Sequence, residues 1–141
     1  MFKKVIVPLD GSILAEKTLP FVKSLAKEGC VEEVVLLNVV EIPIMGISES
    51  FNISPLMNAQ FKSAQKYLAG IETQLSSEGI KVKAEILEGT AAKCIVEYAQ
   101  NNAVDLIVIG THGYTGMKEL VFGSVALRVL HDSHVPVMLI K

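Results

Sequence analysis

A chain of 141 residues that is 50% hydrophobic fits one domain, spanning 1–141, with a sizeable core. A charged fraction of 20% and a net charge of −2 leave no basic excess, which argues against a nucleic-acid binder. No apolar run approaches the roughly 20 residues that cross a bilayer, so no membrane role is expected. The cysteines Cys30 and Cys94 make neither a disulfide framework nor a metal spacing and read as small buried or half-buried residues. With no signal-peptide pattern after Met1-Phe2-Lys3-Lys4, the expected compartment is the reducing cytoplasm.

Val5-Ile6-Val7-Pro8-Leu9 reads as a first strand, and Asp10-Gly11-Ser12 ends it. Ser12 suits the N-cap of a helix with Ala15, Leu19, Val22 and Ala26 on one face. Pro20 lies inside that helix and must remove a backbone bond, which predicts a kink or weak point near Glu16. Gly29 ends the helix, and residues 33–40 form the second strand. Residues 41–55, with Pro43, Gly46 and several serines, read as a long loop. Its Ile42, Ile44, Met45, Ile47 and Phe51 either cover a ligand, face a partner or pack on the helix below.

A long helix over 56–77 carries the stripe Phe61, Ala64, Leu68, Ile71 and Leu75, which reads as core. Val82, Ala84 and Ile86 alternate with Lys81, Lys83 and Glu85, as in an edge strand with one wet face. A helix with Ala91, Ile95, Val96 and Ala99 follows Gly89-Thr90. Leu106 to Ile109 is wholly apolar and suits a strand buried on both faces. A final helix from Gly123 places Val125, Ala126, Val129 and Leu130 at helical spacing, and Val135-Pro136-Val137-Met138-Leu139-Ile140 is the last strand. Strand and helix alternate throughout, so the sheet should be open, parallel and five-stranded with helices on both faces, and the order 3-2-1-4-5 is expected.

That order reverses direction between strands 1 and 4, where ligands of doubly wound folds sit. Strand 1 ends in Pro8, Leu9, Asp10 and Ser12; strand 4 ends in Gly110, Thr111, His112 and Gly113, and the next helix opens at Gly123, Ser124 and Val125. A strand, a glycine-bearing loop and a helix N-terminus together suit a phosphate, held by main-chain N–H groups and the helix dipole. In this reading Gly110 turns the chain out of its strand, Gly113 and Gly123 let a polyphosphate approach, and Ser124 caps the helix while donating to a phosphate oxygen. The end of strand 2, Val39 and Val40, would offer main-chain groups to a flat base. Asp10 would accept from a ribose hydroxyl, a base amine or a metal-bound water, or else cap the first helix. His112 touches a phosphate or is solvated; His131 and His134 complement a helix C-terminus.

Gly110, two residues, Gly113, nine residues, then Gly123-Ser124 reproduce the nucleotide motif of the universal stress protein family, which this sequence resembles over its whole length. Pro8-x-Asp10-Gly11-Ser12, Gly123-Ser124-Val125-Ala126 and Val135-Pro136-Val137 are similar to the family's opening and ending. The resemblance implies an adenine-nucleotide α-hydrolase-like fold in the order 3-2-1-4-5. It also implies ATP as ligand with a divalent metal, Mg or Mn, at the phosphates; the residues that would hold the metal stay open, with Asp10 through water as one candidate. Members commonly dimerise by pairing their last strands antiparallel. The expected function is an ATP-binding regulatory module for the stress response, with a slow ATPase or a phosphoryl- or adenylyl-transferring enzyme as the alternative. Efficient catalysis is disfavoured because no lysine lies in the glycine loop before Lys118 and no water-orienting carboxylate is evident beyond Asp10.

Overall fold

The computed structural model describes residues 1–41, 54–112 and 123–141. Five parallel strands form one sheet: β1 (Phe2–Pro8), β2 (Val31–Val40), β3 (Val82–Glu88), β4 (Leu106–Gly110) and β5 (Val137–Ile140), in the order β3-β2-β1-β4-β5. The expected fold and strand order are therefore those of the chain. The helices among the described residues are α1 (Ile13–Glu16), α2 (Thr18–Lys27), α3 (Ser54–Ser77), α4 (Ala91–Asn101) and α5 (Ser124–Asp132).

Period-two alternation along buried strands sends alternate side chains to opposite faces of the sheet, and both faces are covered. Val5, Val7, Val34, Leu36, Leu106 and Val108 pack under α1, α2 and α3 with Ala15, Val22, Leu68, Ile71 and Leu75. Ile6, Val35, Leu37, Ile107 and Ile109 pack under α4 and α5 with Ala92, Ile95, Tyr98, Ala99 and Val129. The stripe on α3 is core as its spacing indicates. On α5, by contrast, Leu130 is 43% exposed, and the buried positions are Ala126 and Val129.

Pro20 breaks the first helix where its chemistry requires. The chain forms α1, pauses at Lys17, and starts α2 at Thr18, which places Pro20 in a first turn where a missing N–H costs nothing. Buried Thr18 steadies the junction by donating its hydroxyl to the Ala15 carbonyl at 2.7 Å. Gly29 and Gly79 end α2 and α3 with φ of 75° and 82°, a conformation that favours glycine.

Strand β3 does lie at an edge. Strand β5 begins at Val137, two residues later than the pattern suggested, because Ser133 bonds Val135 at both main-chain atoms and holds that stretch in a turn. Asp105 sets the register of β4 against β1: its Oδ2 accepts from the N–H groups of Lys3 and Lys4 at 2.6 and 3.0 Å. Cys30 and Cys94 are half-buried free thiols. No described helix is long and apolar enough to cross a membrane.

Candidate functional site

Where the strand order reverses, the carboxyl ends of β1, β2 and β4 leave a crevice of about 950 Å³. Pro8, Leu9 and Asp10 from β1, Val39 and Val40 from β2, and Gly110 and His112 from β4 line it. So do Gly123, Ser124 and Val125 at the start of α5. Asp10 and Gly123, 113 positions apart in sequence, thus border one space. Ten of the twelve candidate residues share this lining. Gly113 lies outside the described residues, as do Lys118 and the apolar candidates between 42 and 51.

The twelfth candidate, Ser12, does not line the crevice. It is 6% exposed, and its hydroxyl both donates to Asp10 Oδ1 and accepts the Ala15 N–H at 3.1 Å. Ser12 is therefore the N-cap of α1 and a brace for Asp10. Gly11, at φ 89°, makes the turn that lets Asp10 Oδ1 also accept the Ser12 N–H at 2.9 Å. Asp10 Oδ2 has no hydrogen-bond partner among the described residues, and Asp10 itself is exposed.

Gly110 has a different reason from the expected turn. It is still in β4, paired with Ile140, and its φ is not positive. A Cβ there would stand 3.1 Å from the Leu14 carbonyl oxygen and 3.3 Å from the Ala15 Cα. Glycine lets α1 rest on the end of β4, which brings the Asp10 turn beside the start of α5.

The cap of α5 also differs from expectation. Gly123 is the N-cap and Ser124 the first helical residue, so no side chain caps the helix. The Gly123 N–H donates to the Thr111 carbonyl, and the Gly123 carbonyl accepts the Leu127 N–H at 3.0 Å. Ser124, Val125 and Ala126 are left as the first-turn N–H groups that helix geometry cannot satisfy from within. Thr111, 5% exposed, shares a hydrogen bond of 3.1 Å with His112 Nδ1 through its hydroxyl.

At the β2 end, Val39 and Val40 divide. The Leu37 carbonyl accepts the Leu9 N–H, whereas the Val40 carbonyl accepts the Gly89 N–H at 3.0 Å. Main-chain groups alternate sides along a strand, so Val40 faces β3 and Val39 faces the side of β1. Pairing between β1 and β2 ends at Pro8 and Leu37. The Leu9 carbonyl, which a continued ladder would give to the Val39 N–H, instead accepts from Asn38 Nδ2 at 2.8 Å. Val39 therefore turns an unladdered N–H and C=O into the crevice.

Several lining residues belong to no motif of the sequence. Gln60, Ser63 and Tyr67 make a second stripe on α3, one residue from the apolar one, and form the wall on the α3 side. Met57, Ala64 and Val40, with Phe61 and Ile86, seat that end of α3 on the sheet. Asn38, Glu41 and Ala91 also line the space. The described lining holds the carboxylates of Asp10 and Glu41 and no lysine or arginine. No cluster of three or more His, Cys, Asp or Glu side chains able to hold a metal occurs among the described residues.

Residues 1–141 match the family model described as the universal stress protein family. Universal stress protein MJ0577 of Methanocaldococcus jannaschii is 33% identical over 156 residues, covering 100% of this chain and 96% of that protein. A solved structure of MJ0577 gives a TM-score of 0.88 at 35% identity, again over 100% and 96% of the two chains. Universal stress protein MJ0531 of the same organism is 32% identical over 141 residues, 100% of this chain and 83% of that one. Two more distant structures share the fold. One is a universal stress protein in complex with cAMP (17% identity, TM-score 0.72, 99% and 97% of the chains). The other is an Arabidopsis thaliana family member with AMP bound (18% identity, TM-score 0.69, 99% and 91%).

Proposed function

The chain belongs to the universal stress protein family, a family of stress-response proteins, and from that premise we propose that it is a regulatory module that binds ATP at the switch-point crevice. The observation that carries this reading is the convergence of Asp10, Val39, Gly110 and the uncapped start of α5 on one space. Its volume of about 950 Å³ lies within the range of small-molecule sites. The first turn of α5 suits phosphate oxygens, because it offers main-chain donors at the positive end of a helix dipole. Val39 offers one main-chain donor beside one acceptor, the pair that the amino-pyrimidine edge of adenine requires. The nucleotides in the cAMP and AMP complexes of distant family members support an adenine ligand.

A divalent metal, Mg or Mn, fits this lining. The described lining carries the carboxylates of Asp10 and Glu41, and a triphosphate brings further negative charge that a partner ion would balance. Asp10, exposed and with Oδ2 unengaged, would hold such an ion through water; when bound, the ion neutralises the phosphates. The side chains that line the crevice suit holding a nucleotide better than cleaving one. Ser12 is sequestered as a cap, and the carboxylates of the described lining are those of Asp10 and Glu41. ATP occupancy would then act by altering a partner surface or the dimer. Homodimer formation through the open edge of β5 belongs to the same proposal, since that edge is short and apolar.

Calorimetric titration of the purified protein with ATP and Mg tests the reading, alongside mass spectrometry of nucleotide that co-purifies with it. Saturable ATP binding that Gly113→Val abolishes without unfolding the chain is the expected result. Turnover of tens of ATP per second would contradict a regulatory module.

A further inference from the structure

Glu41 follows β2 directly and lines the crevice at the same end as Val39. Its Oε1 accepts the Ala91 N–H at 3.3 Å, bridging 50 positions to the N-terminus of α4. Thr90, the N-cap of α4, provides no side-chain bond, so this glutamate does the capping from across the crevice. Its Oε2 has no hydrogen-bond partner among the described residues. Neighbouring Asn38 is already committed, since its amide donates to the Leu9 carbonyl at 2.8 Å. Among the described groups at this end are thus one donor, the Val39 N–H, and two acceptors, the Val39 carbonyl and the Glu41 carboxylate, with Gln60 and Ser63 of α3 lining the same crevice.

We propose that Glu41 sets base selectivity, favouring a purine with an amino group at position 6 over one with a carbonyl there. The inference rests on the nucleotide reading of the crevice given above. A 6-amino group has two hydrogens; the Val39 carbonyl takes one and the Glu41 carboxylate the other, while the Val39 N–H donates to ring nitrogen 1. A 6-oxo purine sets its carbonyl against both acceptors and its own N1–H against the Val39 N–H, leaving polar groups unpaired in a confined space. Selection by unpaired hydrogen-bonding groups is far stronger than selection by shape alone.

The test compares ATP with the triphosphate of purine riboside, which lacks the 6-amino group, and with inosine triphosphate. Affinities are measured by calorimetry with Mg present for the wild type, Glu41→Ala and Glu41→Gln, and each variant's thermal melt is recorded. Glu41→Gln keeps an oxygen for the Ala91 N–H and presents an amide donor to the crevice, so it carries the test if the alanine variant does not fold. The expected result is a loss of about tenfold for ATP, the size of one charge-assisted hydrogen bond, with purine riboside triphosphate unchanged and inosine triphosphate bound less unfavourably. An equal loss for ATP and purine riboside triphosphate would mean that Glu41 acts only by holding α4, and no loss would mean that it does not reach the base; either overturns the proposal. Wild-type protein that binds none of the three overturns the nucleotide reading itself.

Discussion

Gly110 lies against the backbone of Ala15. A Cβ added to the glycine would come within 3.3 Å of the Ala15 Cα and 3.1 Å of the Leu14 carbonyl oxygen. Backbone atoms cannot swing away as a flexible side chain can, so a methyl group here must lift α1 from β4. Gly110→Ala should lower stability by about 1–3 kcal/mol, the usual cost of overpacking. Because α1 follows the Asp10 turn, ATP affinity should fall as well. Urea denaturation and calorimetry of one preparation check both effects. Unchanged stability would mean that the contact yields without cost.

Ser12 and Asp10 form the second linked pair. The Ser12 hydroxyl caps α1 at the Ala15 N–H and donates to Asp10 Oδ1. Ser12→Ala removes both bonds while leaving the crevice lining intact, because Ser12 does not border it. A destabilisation of about 1–2 kcal/mol is expected from the lost cap. ATP binding should weaken only to the extent that Asp10 swings free, so Ser12→Ala should bind more tightly than Asp10→Ala. The reverse ranking would assign ligand contact to the serine.

Glu33 gives the clearest dependence on pH. Its carboxylate meets Lys81 Nζ at 3.1 Å and Lys83 Nζ at 3.9 Å. The hydrogen bond from Lys81 holds its pKa below the ordinary value of 4.5; partial burial opposes this, and the charges of Lys81, Lys4 and Lys83 reinforce it. A carboxyl whose folded-state value is depressed stabilises the fold above its unfolded value and loses that contribution as pH falls through the folded one. Wild type should therefore exceed Glu33→Gln in urea midpoint at neutral pH, and the gap should close as pH drops below 4.5. A gap that stays constant into acid would show that the glutamine is disruptive for reasons other than charge.

Much of this was legible in the sequence, and the misses have definite causes. Alternation of apolar runs and helical stripes led to the sheet order, and Pro20 announced the break between α1 and α2, since proline chemistry acts locally. The glycine spacing marks Gly110 and Gly123, but Gly110 is needed not for a turn: its lack of a side chain answers to Leu14 and Ala15, almost a hundred positions away. Val39 and Val40 could not be separated in the sequence, because which one faces the crevice depends on where β1 stops pairing. Gln60 and Ser63 look like ordinary wet positions of an amphipathic helix until α3 is laid over the end of β2. Glu41 read as the first residue of a loop, and its partner Ala91 lies beyond another strand and helix.

The central claim is that main-chain groups from β2 and α5 grip a single nucleotide at the switch point. Amide chemical shifts recorded while MgATP is titrated into isotope-labelled protein test it most directly. Saturable shifts concentrated at Asp10, Val39, Thr111, Ser124 and Val125 are the predicted result. Shifts confined to α2 or the outer edge of β3, or none at millimolar nucleotide, would contradict it.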